Sequence, residues 1–263
     1  MYIDSHCHID FPDLANQEPE LLHAMTEAGV SHALCVSVNL ADFPRVLAVA
    51  ERHANIFASV GVHPDHEGVE EPTVEQLVGL AAHPRVIAIG ETGLDYFRLT
   101  GDLDWQRQRF RTHIRAALAS GKPLIIHTRS AAEDTLRIMQ EEHAERIGGV
   151  MHCFTESQAV ADAAIALGFY ISFSGIVTFR NAETLRQVAR QIPLERILIE
   201  TDSPYLAPVP YRGKINQPAY VPHVARMIAD VRGCSAEEIG TASSANFFRL
   251  FGSAVPQDSK EAA

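Results

Sequence analysis

Two histidines one residue apart, His6 and His8, stand at the end of the first apolar run of the chain. Four more groups repeat the pattern. Glu91 follows Val-Ile-Ala-Ile-Gly, His127 closes Leu-Ile-Ile, His152 closes Gly-Val-Met, and Asp202 follows Ile-Leu-Ile-Glu-Thr. Imidazoles and carboxylates are both ligands for divalent cations. Taken singly, each has an ordinary reading as a satisfied core histidine, a helix cap or a solvated loop carboxylate. Taken together, they place donors at the carboxyl ends of separate apolar runs. Six donors exceed the four that a tetrahedral zinc ion takes. Two cations sharing one carboxylate would use them all, and paired cations suit hydrolysis of phosphate esters.

Convergence of these donors requires a particular scaffold. Short β-branched runs read as strands at Tyr2–His8, His32–Val38, Phe57–Val62, Val86–Gly90, Leu124–His127, Gly149–His152, Phe169–Phe173 and Ile197–Glu200. Helical spacing of apolar residues marks Glu20–Ala28, Phe43–His53, Val74–Ala82, Leu103–Ser120, Ala131–His143, Glu156–Leu167 and Ala182–Gln191, with Val221–Val231 and Ala236–Phe251 closing the chain. Eight strands alternating with helices predict a parallel sheet closed into a single (β/α)8 TIM barrel. In that fold, active sites lie at the carboxyl ends of the strands, where the donors stand. One domain is expected over residues 1–254, with a frayed tail at Val255–Ala263.

Alternation along the first strand predicts that Tyr2, Asp4, His6 and His8 face the barrel interior, while Ile3, Ser5 and Cys7 face the helices. Asp4 would then be placed to orient an imidazole. Ser130 and Thr155 are candidate caps for the helices that follow them. The stretch Thr201–Tyr220, with four prolines, is the longest irregular segment and reads as a wall facing a substrate.

Composition narrows the function. The 263 residues are 46% hydrophobic and 7% aromatic, an aliphatic balance that suits a buried parallel sheet. No run reaches the ~20 apolar residues of a membrane span. The polar N-terminus lacks a signal-peptide core, so a cytoplasmic protein is expected. Cys7, Cys35, Cys153 and Cys234 form no CxxC pair and read as reduced thiols. Net charge is −11, with lysine only at positions 122, 214 and 260. Wrapping of long nucleic acid is thereby disfavoured, although one phosphate can still be gripped if cations contribute positive charge. No GxGxxG follows a strand, which argues against a dinucleotide-binding dehydrogenase.

The segments SHCHID, GVHP, IGETGLDY, PLIIHTR, MHCFT, GFYISFSGIVTF, ILIETDSPYLAP and RGKINQPAYV run in order from Tyr2 to Val221. Their pattern resembles the TatD family of metal-dependent hydrolases, within the amidohydrolase-type barrels. The resemblance implies that His6, His8, Glu91 and Asp202 hold one ion. It further implies that Glu91 bridges to a second ion held by His127 and His152. The implied activity is hydrolysis of DNA phosphodiesters, often as a magnesium-dependent exonuclease acting from a 3′ end. Ile215 stands where many relatives are basic, Gln217 where an acidic residue is common, and Glu156 where glycine is frequent. These departures touch the substrate wall rather than the metal ligands, and they leave the use of DNA open.

The expected chemistry is activation of water by two divalent ions (magnesium, manganese or zinc), with Asp202 as base and Glu91 as the shared ligand. His63, Arg129 and Lys214 are candidate phosphate contacts, and Tyr205 a candidate base-stacking ring, with Tyr211 and Phe179 as further rings. Glu200 and Asp95 are candidate orienting groups or helix caps. The expected substrate is a DNA 3′ end or short single-stranded DNA, acted on by a monomer. Hydrolysis of small esters, amides or aminoacyl-tRNA at the same ions is the enzymatic alternative. A non-catalytic metal-dependent binding protein is the alternative of another class.

Overall fold

A computed structural model describes residues 1–97 and 99–254. The tail expected to fray, Val255–Ala263, lies outside them. Each apolar run forms a strand: β1 Tyr2–Cys7, β2 Val30–Cys35, β3 Ile56–Val60, β4 Val86–Asp95, β5 Leu124–Arg129, β6 Gly149–Met151, β7 Tyr170–Phe173 and β8 Ile197–Ile199. They pair in sequence order and in parallel. The helices are α1 Pro12–Ala15, α2 Glu18–Glu27, α3 Phe43–Arg52, α4 Val74–Ala81, α5 Asp104–Ser120, α6 Ala132–Glu141, α7 Gln158–Ala166, α8 Glu183–Gln191, α9 Val221–Arg232 and α10 Ala236–Leu250. This is a (β/α)8 barrel.

One buried cluster draws a side chain from every strand: Ile3, Leu34, Phe57, Ile87, Ile125, Val150, Tyr170 and Leu198. It contains no residue of the helices other than those of α10, so this cluster is the interior fill. Phe247 and Phe251, at the end of α10, join it and plug the base. A second cluster, which includes Val60, Ile89, Ile126, Phe110 and Ile138, lies between the sheet and its helices. Closure between β8 and β1 runs through the segment after β8. Asp202 N–H donates to His6 O at 2.9 Å, and His8 N–H donates to Ser203 O at 2.8 Å.

The alternation expected in β1 fails at its start. Ile3 belongs to the interior cluster, and Tyr2 packs on the sheet–helix layer. Asp4 pairs with Ala33 and Cys7 with Cys35, so β1 carries one residue more than its partner between these points. That bulge resets the alternation before His6. Asp4 therefore does not orient an imidazole. Its carboxylate accepts from Thr201 N–H at 2.8 Å and from the Thr201 hydroxyl, and burial pushes its pKa up to about 8. A second extra residue lies in β4, between Ile89 and Thr92, and contains Glu91. There Gly90 has φ +144°, and a Cβ on it would stand 2.6 Å from Ile125 O, so the crowded bulge needs glycine.

The expected caps also shift. Helix α6 starts after Ala131 without a side-chain cap, and α7 is capped by Ser157, whose hydroxyl accepts from Val160 N–H. Ser130 and Thr155 cap neither helix.

Helix α5 braces the end of β3. Val62 N–H donates to His113 Nε2 at 3.0 Å, and His113 Nδ1 donates to Arg109 O at 2.8 Å. Complete burial pushes the His113 pKa down to about 4. The unfolded chain thus takes up a proton near pH 6.5 that the folded chain refuses until about pH 4. This group's contribution is intact above pH 6.5 and is lost as pH falls, at about 1.4 kcal/mol per unit. Urea melts of the parent chain and of His113→Gln, from pH 7 to 4, should show the parent losing stability more steeply by up to about one proton. Parallel pH profiles would contradict this account.

Candidate metal centre

Five imidazoles converge on one buried carboxylate at the carboxyl end of the barrel. Glu91 Oε1 lies 2.7 Å from His152 Nε2, 3.1 Å from His127 Nδ1 and 3.3 Å from His63 Nε2. Glu91 Oε2 faces the other way, 3.2 Å from His6 Nε2. Asp202 Oδ1 completes that side, 3.7 Å from His6 Nε2 and 3.6 Å from His8 Nε2. The two oxygens of Glu91 are thus divided between two donor groups.

Local geometry explains how distant segments meet. His6 and Glu91 both lie within strand bulges, which re-aim side chains at barrel rims. His127 lies in β5, His152 directly follows β6, and Asp202 stands in the segment after β8, beyond Glu200 and Thr201. Asp202 takes a left-handed backbone, φ +55°, that turns its carboxylate back over β1.

Electrostatics keep the centre anionic at its middle. Burial alone would raise the Glu91 carboxyl, but the imidazoles of His152, His63 and His6 hold it well below its usual range. Asp202 is likewise penalised by burial, yet His8 and then His6 hold it below the ordinary aspartate value. The same carboxylates act on the rings. Burial opposes charge on His63, but Glu91 and Asp65 lift its pKa to about 9. Burial opposes charge on His152 too, while Glu91 and Glu200 raise it well above the usual value.

His6 provides the test of fit for a cation. Its ring is completely buried, and neither nitrogen forms an aligned hydrogen bond with any described residue, although Glu91 is close. Such unsatisfied groups cost about 1–3 kcal/mol each. Its Nε2 faces the carboxylates of Glu91 at 3.2 Å and Asp202 at 3.7 Å, surroundings that suit a metal ligand. Three donor sets lie close enough to share an ion: His6, His152 and Asp202; His6, His8 and Glu91; and His63, Glu91 and His127. The residues fit divalent cations of the kind bound by nitrogen and oxygen.

All six donors expected from the sequence (His6, His8, Glu91, His127, His152 and Asp202) are brought together. His63, read above as a candidate phosphate contact, lies against Glu91 and His127. Five of the six donors, all but the fully buried His6, line a cavity of about 860 Å³ whose lining also includes Phe11, Arg129 and Tyr205. Arg129 stacks on Phe97, with its guanidinium carbon 3.8 Å from the ring centroid. Lys214 is exposed beside Tyr211 and is not part of the cavity lining. Tyr211 stacks on Tyr220, and Arg212 covers Phe179, so these rings pack within the wall itself.

Sequence reasoning missed Asp65, which bonds His63 Nδ1 at 2.5 Å, and the His113–Arg109 brace beneath it. A carboxylate two residues after a strand-end histidine was the available signal for Asp65. The brace left none, since it depends on helix packing.

Comparison with known proteins fits this geometry. The description TatD related DNase matches residues 3–252. The uncharacterized metal-dependent hydrolase YcfH of Escherichia coli (strain K12) is 45% identical over 252 residues, covering 95% of each chain. The 3′-5′ ssDNA/RNA exonuclease TatD of Shigella flexneri is 33% identical over 244 residues, covering 90% of this chain and 94% of that one. The crystal structure of the Escherichia coli TatD homolog YJJV superposes with a TM-score of 0.88 at 31% identity, covering 97% and 98%. A barrel with this donor cluster, matched along nearly its whole length, belongs to the TatD related DNase family and is a metal-dependent hydrolase.

Proposed function

We propose that the chain hydrolyses phosphodiester bonds at nucleic-acid 3′ ends or in short single strands. One observation carries this reading: the Glu91 carboxylate is divided between two donor groups, the arrangement a shared ligand needs. His6, His8, Asp202 and Glu91 Oε2 would hold one cation, and His127, His152 and Glu91 Oε1 a second. Ions there would supply Lewis-acid polarisation of a phosphoryl oxygen and would acidify a water. Asp202, ionised in its surroundings, accepts the proton of the attacking water. Arg129, at the rim, is the cation placed to meet a phosphate. Tyr205, 56% exposed on the opposite wall, offers a face for one base. Support for the substrate class comes from the Shigella flexneri relative named as an exonuclease on ssDNA and RNA.

The footprint is small. Among the described lining residues, Arg129 is the sole arginine or lysine, against the carboxylates of Asp42, Asp65, Glu91, Asp95 and Asp202. A long polyanion would be repelled, whereas an end that offers one or two phosphates fits. A side-by-side assay on short single-stranded DNA, bis-p-nitrophenyl phosphate and a panel of simple esters tests the class. Turnover confined to the esters would sink the phosphodiesterase reading.

Three outcomes are expected. Asp202→Asn should lower kcat on a single-stranded oligonucleotide by about 10²-fold or more while the melting temperature holds, and near-parental turnover would refute the base role. On the same substrate, log kcat/KM against log salt should slope by about −0.7 to −1.4, the signature of one or two phosphates. Finally, cation binding must displace the proton from His152, which Glu91 and Glu200 raise well above the ordinary imidazole value. The sign follows: affinity rises as pH rises from neutrality, because the proton holds this nitrogen until its raised pKa is passed. Calorimetric zinc titration at pH 7.5 in buffers of different ionisation enthalpy should register release of about one proton or more. No release would contradict the assigned protonation.

A further inference from the structure

The donor groups on the two sides of Glu91 are built differently. On the Oε1 side, every imidazole is backed by a carboxylate at its remote nitrogen. His63 Nδ1 donates to Asp65 at 2.5 Å, His127 Nε2 to Asp95 at 3.1 Å and His152 Nδ1 to Glu200 at 3.2 Å. Each bond fixes one tautomer and turns the other nitrogen's lone pair inward. Glu200 also accepts from Cys153 N–H at 2.8 Å, so this brace is itself held in place. On the Oε2 side, His8 Nδ1 donates to a backbone carbonyl, Val36 O, and His6 Nδ1 has no bonded partner among the described residues.

Spacing distinguishes the Oε1 group further. Donors 2.0–2.1 Å from a tetrahedral zinc ion stand about 3.3–3.4 Å from one another. His63 Nε2 is 3.3 Å from His127 Nδ1 and 3.3 Å from Glu91 Oε1. His127 Nδ1 is 3.4 Å from His152 Nε2 and 3.1 Å from Glu91 Oε1. The distance from His152 Nε2 to Glu91 Oε1, 2.7 Å, is shorter. His63 Nε2, Glu91 Oε1 and His127 Nδ1 thus stand 3.1–3.3 Å from one another, close enough to share one ion, and His152 Nε2 adjoins the last two.

We propose that His63 is a metal ligand, and that three carboxylate-braced imidazoles with Glu91 Oε1 form a subsite selective for a zinc-type cation. The other subsite, with two imidazoles and two carboxylates, has the oxygen share that suits magnesium or manganese. The inference rests on the two-ion reading above. Asp65, Asp95 and Glu200 are positioning residues in it, since they act through the rings they hold.

Competition between the metal-free protein and a chromophoric zinc chelator tests this without reference to turnover. The parent should bind two zinc equivalents, the tighter one resisting millimolar magnesium. His63→Asn should weaken the tighter equivalent by about 10- to 100-fold or more and leave the weaker one within about two-fold. Asp95→Asn should weaken the same equivalent, and the cobalt-loaded parent should lose visible absorption intensity in His63→Asn. Circular dichroism of the metal-free variants checks their folding, and His63→Gln serves if His63→Asn fails to fold. Two unaltered zinc equivalents in the His63 variants would overturn the ligand role while sparing the two-ion reading. A parent that binds one equivalent or none would overturn both.

Discussion

A single buried anion organises this molecule. Glu91 carries negative charge in a place where charge is costly, and it persists because imidazoles face both of its oxygens. Those imidazoles are in turn held by carboxylates and carbonyls further out. Removing the central carboxylate would take away what raises His63 and His152 and leave several buried imidazoles facing one another across short distances. Removing the rings would leave the carboxylate stranded. The scaffold therefore supplies a preorganised polar cage at one end of a cylinder that is otherwise filled by aliphatic and aromatic side chains.

Strand irregularities are what make the cage possible. A regular strand can present alternate residues only, and neighbouring strands keep register with it. The extra residues in β1 and β4 break that rule at the two places where donors must enter. The cost is local: crowding at Gly90 and Gly93, where a Cβ would meet the backbone of β5. The return is that donors on β1 and β4 reach a common point above the interior fill.

Much of this was legible in the sequence. Eight apolar runs, each followed by a helical pattern, identify the barrel, and donors at run ends identify its working face. The resemblance carried by motifs such as SHCHID and ILIETDSPYLAP led to the same six donors. What stayed hidden depended on packing across elements. Alternation misplaced Tyr2 and Asp4 because a bulge leaves no mark in residue types. Thr155 and Ser157 are both competent caps, and only the helix start decides between them. That His63 stands against Glu91 Oε1 has no mark in the sequence either, because distance to a carboxylate on the next strand cannot be counted along the chain. The brace from His113 and Arg109 depends on how α5 lies against the end of β3.

The seam where the cylinder shuts has a consequence for the order of assembly. Asp202 N–H bonds the carbonyl of His6, so the last strand's loop clasps the first strand directly beside the ligands. His6, His8, Glu91, His127 and His152 all precede Asp202 in the sequence. The carboxylate that completes the β1 side of the cluster is therefore set in place only by the contact that shuts the cylinder, so closure of the fold and completion of the donor set are one event.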